Sequence, residues 1–320
     1  MIKKIGVLTS GGDAPGMNAV IRGIVITGKQ LGIEIFGIKD GFLGLYKNKI
    51  KKLKVSKVFD IINKGGTFLG SSRFPQFKKK KKRLIAIKNL QKRNIDALII
   101  IGGDGSYAGA QKLNEMGISC ISIPSTIDND VVGTDYTIGY YTALETIVQS
   151  IDKIRDTSAS HNRISIVEIM GRNCGDLTLL SSIASGCEFL VIPETKKSKE
   201  KLLVEIKKRI KKRKKHFVIA ITENLYDIKF LAKYIEKKTN RETRATILGY
   251  IQRGGTPVVY DRILASRMAH YAVEILKDGF SGKCIGIKKE KIIHTDIKKS
   301  LKNKKKNSTR YWLNLSKKLF

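Results

Sequence analysis

The sequence predicts an α/β protein of two lobes, each a largely parallel sheet flanked by helices, with its active site in the cleft between them. Three observations carry that expectation. At 320 residues the chain exceeds the size at which one core usually keeps growing. Short β-rich apolar runs alternate with longer segments of helical period, the pattern of parallel strands joined by crossover helices. Many of the runs are apolar almost without interruption, as in strands covered on both faces.

In chain order, strands are expected at Lys4 to Thr9, Glu34 to Ile38, Ala97 to Ile101, Ile118 to Ile123, Ile164 to Ile169, Phe189 to Ile192, Phe217 to Thr222 and Thr243 to Leu248. Helical period marks Gly16 to Leu31, Ser106 to Met116, Ile138 to Thr157, Ser198 to Lys214, Asp227 to Lys238 and Asp261 to Lys277. The strands fall into two sets either side of the segment Ile138 to Thr157. One lobe is therefore expected at residues 1–138 plus about 252–305, and the other at 139–251 plus about 306–320. From Gly254 onward the sequence offers one good helix and then Lys-rich polar sequence, read as returning to the first lobe.

Composition narrows the function classes. The N-terminus runs straight into an apolar strand with no signal region before it, and no uninterrupted apolar run approaches the roughly 20 residues that span a bilayer. A soluble, cytoplasmic protein is expected. Cys120, Cys174, Cys187 and Cys284 lie far apart without a C-x-x-C pair, so reduced thiols are expected. The net charge of +34 raises the alternative of a nucleic-acid-binding protein. Its lysine runs, Lys78 to Arg83, Lys207 to Lys215 and Lys298 to Lys306, lack the interleaved aromatics on which bases stack. They read as solvated faces, and no specific nucleic-acid partner is expected.

The chemistry concentrates in three loops that each follow a strand, where open α/β sheets hold their ligands. The first, Thr9 to Asn18, places Gly11 and Gly12 ahead of a helix; backbone amides there can approach an anion, although a tight turn alone would also use glycines. The second, Ile99 to Ser106, sets Asp104 among glycines. A carboxylate repels phosphate unless a cation lies between, so Asp104 reads as a magnesium holder on nucleotide phosphates. The third, Pro124 to Asp130, carries Asp128 and Asp130 two apart. In an extended loop both would face one side, one as the base for a hydroxyl nucleophile and the other steering the metal or holding the first in place; an Asx-turn network competes for either alone.

Together these loops (Thr-Ser-Gly-Gly-Asp-Ala-Pro-Gly-Met-Asn, Gly-Gly-Asp-Gly-Ser and Thr-Ile-Asp-Asn-Asp) resemble, in order and spacing, the bacterial ATP-dependent 6-phosphofructokinase family. The stretches Gly65 to Phe74, Met170 to Asp176 and Gly249 to Gly255 agree as well, so the resemblance covers essentially the whole chain. It implies Rossmann-like lobes, the first ATP-binding and the second substrate-binding. It further implies phosphoryl transfer from MgATP to the 1-hydroxyl of fructose 6-phosphate, the committed step of glycolysis. Gly12, Arg73, Phe74, Gly103, Asp104, Gly105 and Ser106 match the family's ATP site, with Asp104 on magnesium. Asp128 matches its general base, with Thr126, Ile127 and Asp130 in the same loop, and Arg172 matches the group that places charge on the transferring phosphoryl. Arg163, Arg244 and Arg253 match the sugar-phosphate set, Tyr250 stands beside them, and Met170, Gly171 and Glu223 match contacts to the rest of the sugar. In the family Arg163 and Arg244 reach across from a neighbouring subunit, which implies an oligomer, usually a homotetramer.

An effector site for ADP and phosphoenolpyruvate is implied by Arg22, Arg155, Gly186, Cys187, Glu188, Lys212, Lys214, Lys215 and His216. Ile26 and Val55 stand where two of its arginines are usual, so weakened control is expected. Tyr250 replaces a histidine, Phe42 a tyrosine near the adenine and Ser125 a glycine. Pyrophosphate-using relatives carry aspartate at the position of Gly105 and lysine at that of Ser125, so both positions favour ATP. Other kinases with a Gly-Gly-Asp-Gly loop are the nearest alternative, and the arginine set argues against them.

Overall fold

The computed structural model describes residues 2–195, 197–302 and 309–319; the end of the 298–306 lysine run and the expected 305/306 lobe boundary lie outside them. Strand β1 (Lys4–Ser10) is buried from Ile5 onward, as its continuous apolar sequence requires. It feeds α1 (Met17–Gln30), which buries Met17, Val20, Ile21, Ile24 and Val25, one stripe at helical spacing. There follow β2 (Glu34–Ile38), α2 (Gly41–Tyr46), β3 (Ile50–Lys52), α3 (Val55–Val58), α4 (Lys80–Gln91), β4 (Ala97–Gly102), α5 (Asp104–Asn114) and β5 (Ser119–Pro124). Helix α6 (Tyr140–Ser160) leads to β6 (Ile164–Ile169), α7 (Asp176–Ser185), β7 (Phe189–Val191), α8 (Lys199–Lys211), β8 (Phe217–Thr222), α9 (Ile228–Thr239) and β9 (Thr243–Ile247). The chain then forms α10 (Val259–Lys277), β10 (Lys283–Lys288), β11 (Lys291–Asp296), α11 (Ile297–Lys302) and α12 (Thr309–Leu319).

Two compact units result. Unit 1 is Met1–Thr142 with Arg253–Lys305, and unit 2 is Ala143–Gln252 with Lys306–Phe320. Unit 1 holds a seven-stranded sheet in the order β11-β10-β5-β4-β1-β2-β3, with only the edge strands β3 and β11 antiparallel. Its chain reverses direction across the sheet at β1, which lies between β2 and β4; crevices at such switch points hold ligands. Ser10 is level with Gly102 and Gly102 with Pro124, so β1, β4 and β5 end side by side.

Unit 2 holds a four-stranded sheet in the order β7-β8-β6-β9, all parallel. Its core is Ile164, Ile166, Phe189, Leu202, Ile206, Phe217, Ile219, Leu231 and Ile235. At the carboxyl edge Ile169 is level with Thr222 and Glu168 with Ile247. Helix α12 packs on α7 within this unit.

The short elements α2, β3 and α3 and the helix α12 are not among those expected, and four further departures have an evident physical reason. The sequence after α10 forms the antiparallel pair β10 and β11, and β10 joins β5; the turn between them is Lys289-Glu290, both at positive φ, without the Asn-Gly that usually marks it. Helix α4 lies within the lysine run after Lys78, and its buried Arg83, Ala86, Ile87 and Leu90 keep helical spacing beneath the lysines. Helix α7 was passed over because its Ser and Thr residues blur the stripe, yet Thr178, Ser181 and Ser182 are buried and bonded inside the unit. Helix α5 opens at Asp104, two residues earlier than expected, which places that carboxylate in the first helical turn.

Candidate active site

In unit 1 the three expected loops emerge from adjacent strand ends. The loop after β1 is tied to the Gly65–Phe74 stretch: Thr9 Oγ1 donates to Gly70 O at 2.8 Å, Ser71 Oγ to Gly11 O at 2.7 Å, and Asn18 bridges Lys64 O, Gly65 O and Phe68 N. This brings Arg73 and Phe74 beside the first glycine loop. Phe74 packs at 5.3 Å from Tyr46 and 6.2 Å from Phe77, and Phe77 stacks on Phe42 at 4.4 Å. Phe42 and Phe77 belong to the core of unit 1, and Phe74 packs against that core.

The second loop lies next to it. Ser106 Oγ donates to Ser10 O at 3.0 Å, joining the first two loops, and Asp104 Oδ1 accepts from Gly105 N at 2.7 Å at the head of α5. A Cβ on Gly105 would meet nothing within 4 Å, so the fold does not require glycine there. Gly103 packs on Thr126 of the third loop.

The third loop is held by residues 134–139. Thr126 N donates to Ile138 O at 3.1 Å, Thr137 Oγ1 to Thr126 O at 2.6 Å, and Asp128 N to Thr126 Oγ1 at 3.3 Å. Asp128 is 8% exposed. The sequence argument that Asp128 and Asp130 share a side through extended alternation is corrected: Ile127 and Asp128 form a turn and Asn129 has φ of +51°, so a period of two does not apply. Asp261, which sequence reasoning missed, holds this assembly from behind. Its carboxylate accepts from Gly139 N, Thr142 N and Thr142 Oγ1 at 2.9, 2.8 and 2.6 Å, and burial pushes its pKa up despite those bonds.

Arg253, expected with the sugar-phosphate set, lies in unit 1 against the first loop. Its Nη2 is 2.5 Å from Asp13 Oδ1, and a Cβ on Gly12 would come within 2.7 Å of the same nitrogen. A side chain at Gly12 would displace the guanidinium from this position.

Unit 2 separates its candidates onto two edges. At the carboxyl edge stand Met170, Gly171 and Arg172 after β6, Glu223 after β8 and Tyr250 after β9. Glu223 Oε1 accepts from Gly171 N at 3.1 Å and Arg172 N at 2.9 Å; Tyr250 is 77% exposed. At the amino edge Arg163 precedes β6 and Arg244 lies near the start of β9, and both guanidinium groups face Glu242 Oε1, at 3.6 and 2.7 Å. The six residues of β6 put roughly 20 Å between the two edges. The fold of one unit therefore does not bring Arg163 and Arg244 to Arg172.

The effector candidates of unit 2 do gather. Arg155 donates to Ser185 O, Gly186 O and Glu188 Oε1 at 2.8, 2.9 and 3.2 Å, and Lys214 Nζ lies 2.7 Å from Glu188 Oε1. Burial pushes the Glu188 carboxyl up, but Lys214, the Val218 amide and Arg155 outweigh it and hold its pKa below the usual range. Cys187 is buried, its thiol pushed up to about 12 by desolvation, and none of the four cysteines is in a disulfide. Lys212 caps α8, and Lys215 and His216 continue toward β8. Arg22 and Ile26 lie on α1 and Val55 opens α3, in unit 1.

Two adjoining glycine loops, one with a carboxylate at a helix head, beside a third loop with a buried aspartate suit phosphoryl transfer. The chain belongs to the phosphofructokinase family, whose model matches residues 4–276. It is 66% identical over all 320 residues, and the full length of both chains, to a protein of Buchnera aphidicola subsp. Schizaphis graminum named ATP-dependent 6-phosphofructokinase. A protein of the same name from Erwinia tasmaniensis is 61% identical, again over the full length of both. The solved phosphofructokinase of Saccharomyces cerevisiae matches with a TM-score of 0.85 and 35% identity, covering 94% of this chain and 45% of that longer one. Among the described residues no helix is long and apolar enough to cross a membrane.

Proposed function

We propose that the chain transfers the γ-phosphoryl group of ATP to the 1-hydroxyl of fructose 6-phosphate, giving fructose 1,6-bisphosphate and ADP. The observation that carries this reading is the level ending of β1, β4 and β5, which sets Gly12, Asp104 and Asp128 on three adjacent loops. Gly12, Arg73, Phe74 and the Gly103–Ser106 turn receive the nucleotide. Asp104 suits magnesium, which takes one or two carboxylates together with phosphate oxygens and needs no cage of protein ligands. The metal, when bound, neutralises phosphate charge. Asp128 accepts the proton of the 1-hydroxyl as its oxygen bonds to the γ-phosphorus and the bond to the β-phosphate oxygen breaks. Thr126 and Asp130 shape that loop, and Arg172 supplies positive charge to the moving phosphoryl group.

Met170, Gly171 and Glu223 receive the sugar, with Arg253 and Tyr250 near its phosphate. The amino-edge position of Arg163 and Arg244 supports a site completed by a second copy, in a homotetramer of the cytoplasm. ADP and phosphoenolpyruvate would act at the Arg155–Glu188–Lys214 cluster, weakly because Ile26 and Val55 offer no charge.

The test is an enzyme-coupled assay of fructose 6-phosphate and magnesium with ATP or pyrophosphate as donor. Turnover with ATP and none with pyrophosphate is expected. Turnover with pyrophosphate alone would overturn the reading of Gly105.

A further inference from the structure

Three consecutive backbone amides in the loop after β6 donate to side chains from neighbouring strand ends. Met170 N donates to Gln252 Oε1 at 3.1 Å, Gly171 N to Glu223 Oε1 at 3.1 Å and Arg172 N to the same oxygen at 2.9 Å. Successive amides turned to one side form a concavity that ordinarily takes an anion. Here the protein's own carboxylate fills it, so the loop offers an incoming phosphate the Arg172 side chain and not its backbone.

The backbone at this point needs holding. Gly171 has φ of +146° and Arg172 φ of +54°, a left-handed conformation that a residue with a Cβ adopts at a cost. Glu223 is fixed in turn, because its own N donates to Ile169 O at 2.7 Å. Gln252 is fully buried and uses both ends of its amide: Nε2 donates to Gly249 O at 2.9 Å while Oε1 takes Met170 N. It thus latches the β6 loop to the turn after β9 that carries Tyr250. Further along, Glu194 Oε1 accepts from Gly175 N at 3.0 Å, closing the loop at the start of α7.

We infer that Gln252 and Glu223 are positioning residues that hold Arg172 on its left-handed backbone, so that its guanidinium meets the phosphoryl group without reorganisation. This rests on the role proposed above for Arg172. Misplacement of a charged group by about 1 Å can lower turnover roughly a hundredfold.

The experiment is a double-mutant cycle in the full-length enzyme, read as kcat and KM for both substrates. Gln252→Leu is expected to lower kcat about 10- to 100-fold while KM for ATP stays within about twofold. In an Arg172→Ala background the same change is expected to cost less than about twofold, since its effect passes through Arg172. Equal losses in both backgrounds, or no loss from Gln252→Leu alone, overturn the inference. Full activity of Arg172→Ala by itself sinks the reading of Arg172, and the inference falls with it.

Gln252→Glu guards against a variant that fails to fold. Its carboxylate still accepts from Met170 N but repels Gly249 O, and protonation restores a donor. Its kcat relative to wild type should rise as pH falls, and a flat ratio contradicts the latch. Glu223→Gln, which keeps Oε1, should retain more kcat than Glu223→Ala in the wild-type background and not in an Arg172→Ala background; a difference that persists there belongs to the sugar contact of Glu223 and overturns its part.

Discussion

The two edges of the unit 2 sheet use acidic side chains in opposite ways. At the carboxyl edge Glu223 accepts backbone amides and so fixes where Arg172 stands. At the amino edge each carboxylate holds two cations: Glu188 takes Arg155 and Lys214, and Glu242 takes Arg163 and Arg244. Two positive charges against one negative leave an excess that a phosphate can engage. One edge is built to present a single guanidinium in a set geometry, and the other to keep charge available for an anion.

The largest expected effect lies at the carboxyl edge. Arg172→Ala should lower kcat by about 10² to 10³, the range for losing one preorganised charge partner, with KM for ATP little changed. A rise in KM without loss of kcat would break the contrast between the edges. At the amino edge Arg163→Ala should instead raise KM for fructose 6-phosphate by roughly 10- to 100-fold, as for a lost charged hydrogen bond of about 1.5–3 kcal/mol. In the proposed homotetramer the two edges serve different copies, so dissociating and reassembling a mixture of Arg163→Ala and Arg172→Ala subunits should restore activity. If the mixture stays as inactive as its parts, both arginines act within one chain.

A smaller effect sharpens the amino edge through pH. The depressed pKa of Glu188 means its ionised form stabilises the fold above the ordinary glutamate value of 4.5, and that contribution is lost as pH falls below it through the folded value. Glu188→Gln should therefore destabilise by about 1–3 kcal/mol at neutral pH. Denaturant melts should show the difference shrinking as pH falls below 4.5; a constant difference would mean that the charge is immaterial. The smallest effect is a control in unit 1. Replacing Lys289-Glu290, both left-handed, by Asn-Gly should stabilise the hairpin by about 1 kcal/mol without altering kcat, as a thermal melt and an assay would reveal.

What could be read from the sequence were the features with a local signature. Glycine beside aspartate after an apolar run marked two of the loops and the pair Asp128 and Asp130 the third, and near-continuous apolar character marked β1, β4, β6 and β8, whose bounds fall within a residue of those expected. The rest depends on burial that sequence does not display. Lysines around a thin apolar stripe hid α4, and a Lys-Glu turn hid β10 and β11. Gln252, Glu194 and Asp261 read as ordinary polar residues, yet their partners come from distant strand ends. Arg163 and Arg244 were legible as candidates, but their place at the opposite edge from Arg172 emerges only from the register of β6 and β9.

The most direct test of the account is Asp128→Asn, assayed with fructose 6-phosphate and magnesium ATP beside the wild-type enzyme. Wild type should turn over, and the variant should lose about 10² to 10⁴ in kcat while still binding both substrates, because the amide keeps the shape and loses the base. A variant as active as wild type, or a wild type inactive with these substrates, would contradict the mechanism.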